Sequence, residues 1–255
     1  MRILVTNDDG IHSPGLHALV ASLQEIAQVR VVAPDREQSA AGHALTLHKP
    51  LRMNPTHLPG LRGEVFASNG TPADCVILGS LTDSGPPDLV VSGINGGANM
   101  GEEVLYSGTV SAAMEAAIQG LRSFSISVTS YNEVDFGPAA RFAARLVGLM
   151  PRLDLPADCF LNVNVPAVPY KEIAGITITR LGRRAYLNRI DRREDPRGGI
   201  YYWFSGDPRE SDAAPGTDIG AIVENKISIT PLHFDVTSYQ AMGNLAALVE
   251  GLSDW

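Results

Sequence analysis

Asn7-Asp8-Asp9-Gly10 closes the first hydrophobic run, Ile3-Leu4-Val5, and sets two adjacent carboxylates where a buried strand meets a turn. Two like charges about 4 Å apart at an effective dielectric of about 20 repel by roughly 4 kcal/mol. That is a large share of a folding stability of about 5 to 15 kcal/mol. One carboxylate must therefore take up a proton, point into water, or share a metal. Successive side chains on a strand face opposite ways, so both acids reach one ion only if the chain turns there, and Gly10 permits the turn. Taken alone, an Asp-Asp-Gly turn is more often a solvated loop or a cap.

Two further oxygen donors follow other strand-like runs. Ser39 comes after Val29 to Ala33, and Asn95 comes after Leu89 to Ser92. In open parallel sheets ligands bind outside the carboxyl ends of the strands, so donors distant in sequence can meet there. Two carboxylates, a hydroxyl and an amide oxygen suit one hard divalent cation such as Mg²⁺ or Mn²⁺; zinc or copper would more often recruit His or Cys. Beside them, Gly96, Gly97 and Gly101 let backbone amides converge as an anion cradle, with Asn99 as a side-chain donor. Ser107-Gly108-Thr109 precedes a helix from Val110, whose first amides favour negative charge. Phosphate is the natural guest, although Ser107 and Thr109 could equally serve as helix caps. The run is neither GxGxxG nor GxxxxGKS and contains no lysine, which argues against a dinucleotide or ATP P-loop site.

These donors depend on an alternation of strands and helices over the first 130 residues, the pattern of a parallel sheet covered by helices. The spacing predicts strands at Ile3 to Thr6, Val29 to Ala33, Val65 to Ser68, Leu89 to Ser92 and Phe124 to Val128. Helices are expected over Leu16 to Ile26, from Pro72 through Leu81, and over Val110 to Ile118. Residues 131–255 complete the sheet within one domain spanning 1–255. Ala139 to Met150 reads as a helix, Leu161 to Val165, Ile176 to Thr179 and Ile227 to Thr230 as strands, and Thr217-Asp218 as a helix start. Residues 180–215 shift to Arg, Asp, Gly and Pro around Tyr201-Tyr202-Trp203-Phe204, which reads as a projecting arm or hairpin, and Ala241 to Leu252 as a closing helix.

Composition narrows the partners. With 255 residues, 44% hydrophobic and 19% charged, the chain is long enough to bury a real core. A net charge of -8 argues against nucleic acid polymers and acidic membranes as partners. Cys75 and Cys159 form no CxxC pair, so neither a disulfide scaffold nor a cysteine zinc site is expected. No apolar run approaches the roughly 20 residues that span a bilayer, and the acids at positions 8 and 9 arrive too early for a signal peptide. A cytoplasmic location is expected.

Taken together the motifs resemble the survival protein SurE family of metal-dependent nucleoside monophosphate phosphatases. The resemblance is carried by Arg2 to Gly10 with Gly15, Ala33 to Ser39, Asn69 to Cys75, Ser92 to Asn99, Tyr106 to Val110 with Ala112 to Glu115, Gly216 to Asp218, and Ile227 to Leu232. It implies a Rossmann-like α/β fold and one divalent ion per subunit, held by Asp8, Asp9, Ser39 and Asn95. It also implies hydrolysis of nucleoside 5′- and 3′-monophosphates, sometimes of short polyphosphate, and a homodimer or homotetramer that exchanges carboxy-terminal elements. On that reading Asp8 or Asp9 orients or deprotonates the attacking water, or one of them attacks phosphorus to form a phospho-aspartate. Asn95 to Gly101 and Ser107 to Thr109 hold phosphate oxygens, and His43 approaches as a proton donor. The alternatives are a nucleotide sensor without turnover and an aspartyl-phosphate phosphatase, whose usual Asp-x-Asp signature is not matched here.

Overall fold

Nine strands form one mixed sheet in the computed structural model of the protein, which describes residues 1–81, 85–130, 134–183, 189–205 and 213–252. The strands are β1 (Arg2–Thr6), β2 (Gln28–Pro34), β3 (Met53–Pro55), β4 (Glu64–Ser68), β5 (Leu89–Gly96), β6 (Ser123–Val128), β7 (Cys159–Val165), β8 (Gly175–Ile178) and β11 (Lys226–His233). Their spatial order is β3-β4-β2-β1-β5-β6-β7-β11-β8. From β4 to β7 every pairing is parallel, while β3 against β4 and β11 against β7 run antiparallel.

The helices are α1 (Pro14–Leu23), α2 (Pro72–Leu81), α3 (Gly108–Ile118), α4 (Gly137–Leu149), α5 (Asp218–Val223), α6 (Tyr239–Asn244) and α7 (Ala246–Gly251). Each long helix joins two parallel strands, as crossover geometry requires. Side-chain alternation along β1 divides the interior between two layers: Ile3 and Val5 pack with Leu16, Leu19 and Val20 of α1, whereas Leu4 packs with Val76 of α2 and Ala112 of α3. Burial on both faces explains why β6 is enclosed at every residue, and why the central strands read as unbroken apolar runs.

The chain leaves β1 toward β2 on one side, then returns over the sheet through α2 to place β5 on the other side of β1. A crevice opens at such a reversal, outside the strand ends. Gly15 lets α1 come close, since a Cβ there would lie 2.0 Å from the carbonyl oxygen of Ile94 on β5.

Most of the expected elements are present with shifted ends, and within the expected arm of 180–215, of which 184–188 and 206–212 lie outside the described residues, β9 (Arg189–Glu194) and β10 (Ile200–Ser205) form an antiparallel hairpin. The closing helix is different. Two short helices replace it, with the break at Leu245, beside Gly243 and Asn244, whose low helix propensity favours an interruption. β3 was not anticipated, because three residues ending in Pro55 carry too little pattern to announce a strand. Among the described residues no helix is long and apolar enough to cross a membrane.

Candidate functional site

Asp8 and Asp9 leave β1, Ser39 lies beyond β2, and Asn95 lies within the last residues of β5; all four side chains line a single cleft of about 1320 Å³. β5 runs on to Gly96 rather than ending at Ser92, so Asn95 lies inside the strand. A register irregularity between Ser92 and Asn95 separates the two stretches of β5 that pair with β6, and such bulges re-aim side chains at a strand end. Gly10 has φ +95°, and a Cβ there would meet the Arg36 backbone at 3.0 Å, so a glycine is needed for the turn to approach the loop after β2.

Asp8 is 5% exposed. Its Oδ2 accepts from the Thr109 backbone N–H at 3.0 Å, and its Oδ1 accepts a short hydrogen bond from the Thr109 hydroxyl. Burial pushes the Asp8 carboxyl up from its ordinary value, and the Thr109 donors oppose that rise. Among the described residues Asp9 accepts only from the Gly96 backbone N–H, at 3.3 Å, and its carboxyl is pushed up to about 6 by burial and by the charge of Asp8.

Ser39 rides on a loop fastened at several points. Its hydroxyl donates to Glu37 Oε1 at 2.5 Å, Gln38 N–H donates to the Asp8 carbonyl at 2.8 Å, and Gly42 N–H donates to the Tyr106 carbonyl at 3.0 Å. His43 Nε2 lies 2.8 Å from Glu115 Oε2 on α3 and is not on the cleft wall. The proton-donor role considered for it is therefore replaced by a tether.

The glycine segment is arranged differently from an open amide cradle. Gly96 N–H points to Asp9, Gly97 N–H donates to the Val128 carbonyl of β6 at 2.9 Å, and Gly101 N–H donates to Asp218 Oδ2 at 2.9 Å. Asn95 Nδ2 donates to the Gly97 carbonyl at 2.7 Å, which leaves its amide oxygen as the group able to accept or ligate. Asn99 is buried, with its amide nitrogen donating to Ser127 Oγ at 2.9 Å and its backbone held by Asn162 and Asn164. Ser107 lines the cleft while its hydroxyl accepts from Val110 N–H and caps α3. Gly108 and Thr109 are buried behind Asp8 rather than on the cleft wall.

The donor set fits a hard cation. Among the described residues no Lys, Arg or His lies within ion-pair distance of Asp8 or Asp9, so two desolvated acids face each other without a protein counter-charge. No group of three His, Cys, Asp or Glu gathers among the described residues either. An ion here would need neutral oxygens as well, which Ser39 and Asn95 possess.

Sequence reasoning missed Asp218. It is fully buried, and its carboxylate gathers three backbone amides, from Gly101 at 2.9 Å, Gly182 at 2.7 Å and Ile219 at 2.8 Å. It thereby joins the turn that carries the cleft residues Glu102 and Glu103 to the base of the arm. Its place after the cap Thr217 advertised only a helix start, and nothing in the sequence pointed to the loop at residue 101. Tyr106, on the cleft wall and two-thirds exposed, was read only as part of a motif.

Comparison with known proteins gives a consistent result. The family described as Survival protein SurE matches residues 3–188. The 5'-nucleotidase SurE of Moorella thermoacetica is 52% identical over 99% of this chain and 97% of its own, and that of Gloeobacter violaceus is 51% identical over 97% and 95%. The crystal structure of the SurE protein from Aquifex aeolicus superposes with a TM-score of 0.84 at 41% identity, covering 97% of this chain and 99% of that one.

Proposed function

The chain belongs to the survival protein SurE family, and on that premise we propose that the cleft at the ends of β1, β2 and β5 hydrolyses nucleoside monophosphates with the help of one divalent cation. The protein is a 5'-nucleotidase, a phosphoric monoester hydrolase. The finer reading adds nucleoside 3′-monophosphates and short-chain polyphosphate as substrates, Mg²⁺ or Mn²⁺ as the ion, and Asp8, Asp9, Ser39 and Asn95 as its ligands. The observation that carries it is the meeting of those four oxygen donors, drawn from three strand ends, on one cleft wall.

Bound there, the ion would neutralise charge on the phosphoryl oxygens and so lower the barrier to displacement. The protein's own groups do the rest. Asp9, whose hydrogen bond from Gly96 is long, accepts the proton of a water molecule as that water forms its new bond to phosphorus in line. The bond between phosphorus and the nucleoside oxygen breaks on the opposite side, and that oxygen takes up a proton from solvent in the open cleft as the nucleoside leaves. Asp8, with both oxygens engaged by Thr109, is a poorer candidate than Asp9 for direct attack on phosphorus. The Ser107 hydroxyl, on the cleft wall, is the nearest of the sequence-derived phosphate contacts to keep that role, since the amides of Gly96, Gly97 and Thr109 are engaged elsewhere.

The reading extends to assembly. The hairpin of β9 and β10 and the segment of α6 and α7 expose large apolar side chains, Phe204 at 92% and Val249 at 73% among them. They suit the subunit interface of a homodimer or homotetramer working in the cytoplasm, with the whole of 1–255 acting as one α/β unit. The deciding experiment is phosphate release from a panel of nucleoside 5′- and 3′-monophosphates and short polyphosphate, with chelator and then with Mg²⁺ or Mn²⁺ restored. Hydrolysis untouched by the chelator defeats the cation assignment.

A further inference from the structure

We propose that Thr109 is a positioning residue for Asp8, fixing the plane of its carboxylate so that the remaining lone pairs face the cation, and that it does not contact the phosphate. The proposal rests on the reading of Asp8 as a ligand. Thr109 is fully buried and is not on the cleft wall, so a substrate in the cleft does not reach it. What it does reach is both oxygens of one carboxylate, Oδ2 through its backbone N–H at 3.0 Å and Oδ1 through its hydroxyl.

Two donors from one residue resist rotation of a carboxylate, because turning the plane breaks at least one bond. Each carboxylate oxygen still has a lone pair left after accepting one hydrogen bond. The approach is arranged from both sides. Ser107 caps α3 through Val110 N–H, so the second amide of the helix, that of Thr109, is left for an outside acceptor, and Asp8 supplies it at the electropositive end of the helix. Gly108 makes room, since a Cβ there would stand 2.8 Å from Asp8 Cβ. Asp9 has no equivalent: one long bond from Gly96 leaves it adjustable. The adjacent acids thus divide into a clamped partner and a movable one, as expected where one anchors an ion and the other handles a proton. Groups that orient metal ligands matter nearly as much as the ligands themselves.

The test measures Mn²⁺ binding to the full chain by titration calorimetry, without nucleotide. Thr109→Val keeps the shape and the backbone donor but removes the hydroxyl, and is expected to weaken Mn²⁺ binding by about 10- to 100-fold. Thr109→Ser should stay near the parent. At saturating Mn²⁺, Thr109→Val should recover most of its turnover with an unaltered KM for the nucleotide. Unchanged Mn²⁺ affinity in a folded Thr109→Val overturns the proposal, and so does a raised KM with normal Mn²⁺ affinity, which would make Thr109 a phosphate contact. Should Thr109→Val fail to fold, Gly108→Ala decides, because its Cβ displaces the Thr109 donors from Asp8; parent-like Mn²⁺ binding there is equally fatal. Asp8→Asn separates the two levels: if it binds Mn²⁺ as the parent does, the reading of Asp8 as a ligand fails, whatever Thr109 does.

Discussion

The cleft and the carboxy-terminal region depart from the usual partition of side chains in opposite directions. At the cleft, the carboxylate of Asp8 is buried and that of Asp9 largely withdrawn from water, and no basic side chain among the described residues forms an ion pair with them, although Arg36 and His12 line the same cleft. On the hairpin and the last two helices, Tyr202, Trp203, Phe204, Tyr239, Met242 and Leu245 lie open to solvent. A desolvated charge and a solvated apolar patch both raise the free energy of a chain standing alone. On the proposed reading each region would be completed from outside, the first by a cation and the second by the apolar surface of another subunit. Two kinds of order are separated as well: the cleft is bound by hydrogen bonds to the body, whereas among the described residues the hairpin strands pair with each other and not with the nine-stranded sheet.

The largest effect that could break this contrast is at the acids. Asp8→Asn or Asp9→Asn is expected to lower nucleotide hydrolysis by about 10²- to 10³-fold, the scale for removing one group that stabilises a transition state. Asp9→Asn also relieves the repulsion and can keep an amide oxygen on the Gly96 N–H, so that metal-free variant should melt higher, by about 2–4 °C for each kcal/mol gained. Thermal melts and phosphate release run together check both halves; an Asp9→Asn variant that loses activity because it melts lower speaks against the cleft as a strained site.

At the other region, Trp203→Asp should weaken self-association by about thirtyfold, since one anchoring aromatic commonly contributes about 2 kcal/mol or more. Light scattering across a dilution series reads this, and an unchanged mass would leave the exposed aromatics without a role in assembly. Asp218→Asn probes the link between the two regions. One of its amide partners would then face an NH₂ group, for an expected loss of about 1–3 kcal/mol in urea unfolding, together with a raised KM through the turn carrying Glu102 and Glu103.

The smallest effect concerns pH. In the metal-free protein the Asp9 carboxyl lies at about 6, above its ordinary value of 3.8. A raised folded-state value means that this group's stabilising contribution is full below about 4 and is lost as pH rises through about 6. Mn²⁺ should therefore raise the melting temperature more at about pH 7.5 than at about pH 5. An equal rise at both would mean that no cation relieves this carboxylate.

Legibility of the chain followed the range of the interactions involved. Ile3 to Val5 ending at Asp8, Asp9 and Gly10 could be read because a buried strand and the turn after it are decided by near neighbours. The arm could be read for the same reason, as a local change of composition around Tyr201 to Phe204. The closing helix was misjudged at Leu245, where apolar spacing outweighed the weak helix propensity of Gly243 and Asn244. At the site, a glycine run suggested open amides, yet Gly97 and Gly101 had partners on β6 and at Asp218, residues that sequence spacing does not bring to mind.

By itself, then, the order of residues determined which chemical groups exist and which strand each follows: two adjacent acids after β1, a hydroxyl after β2, an amide at the end of β5. Only the tertiary structure decided that these ends meet, because the reversal of strand order at β1 brings residues 8, 39 and 95 to one crevice. It also decided which partner each donor has there. Thr109 meets both oxygens of Asp8 because hydrogen bonds depend on distances of a few tenths of an ångström, and those are set by how α3 packs against the sheet.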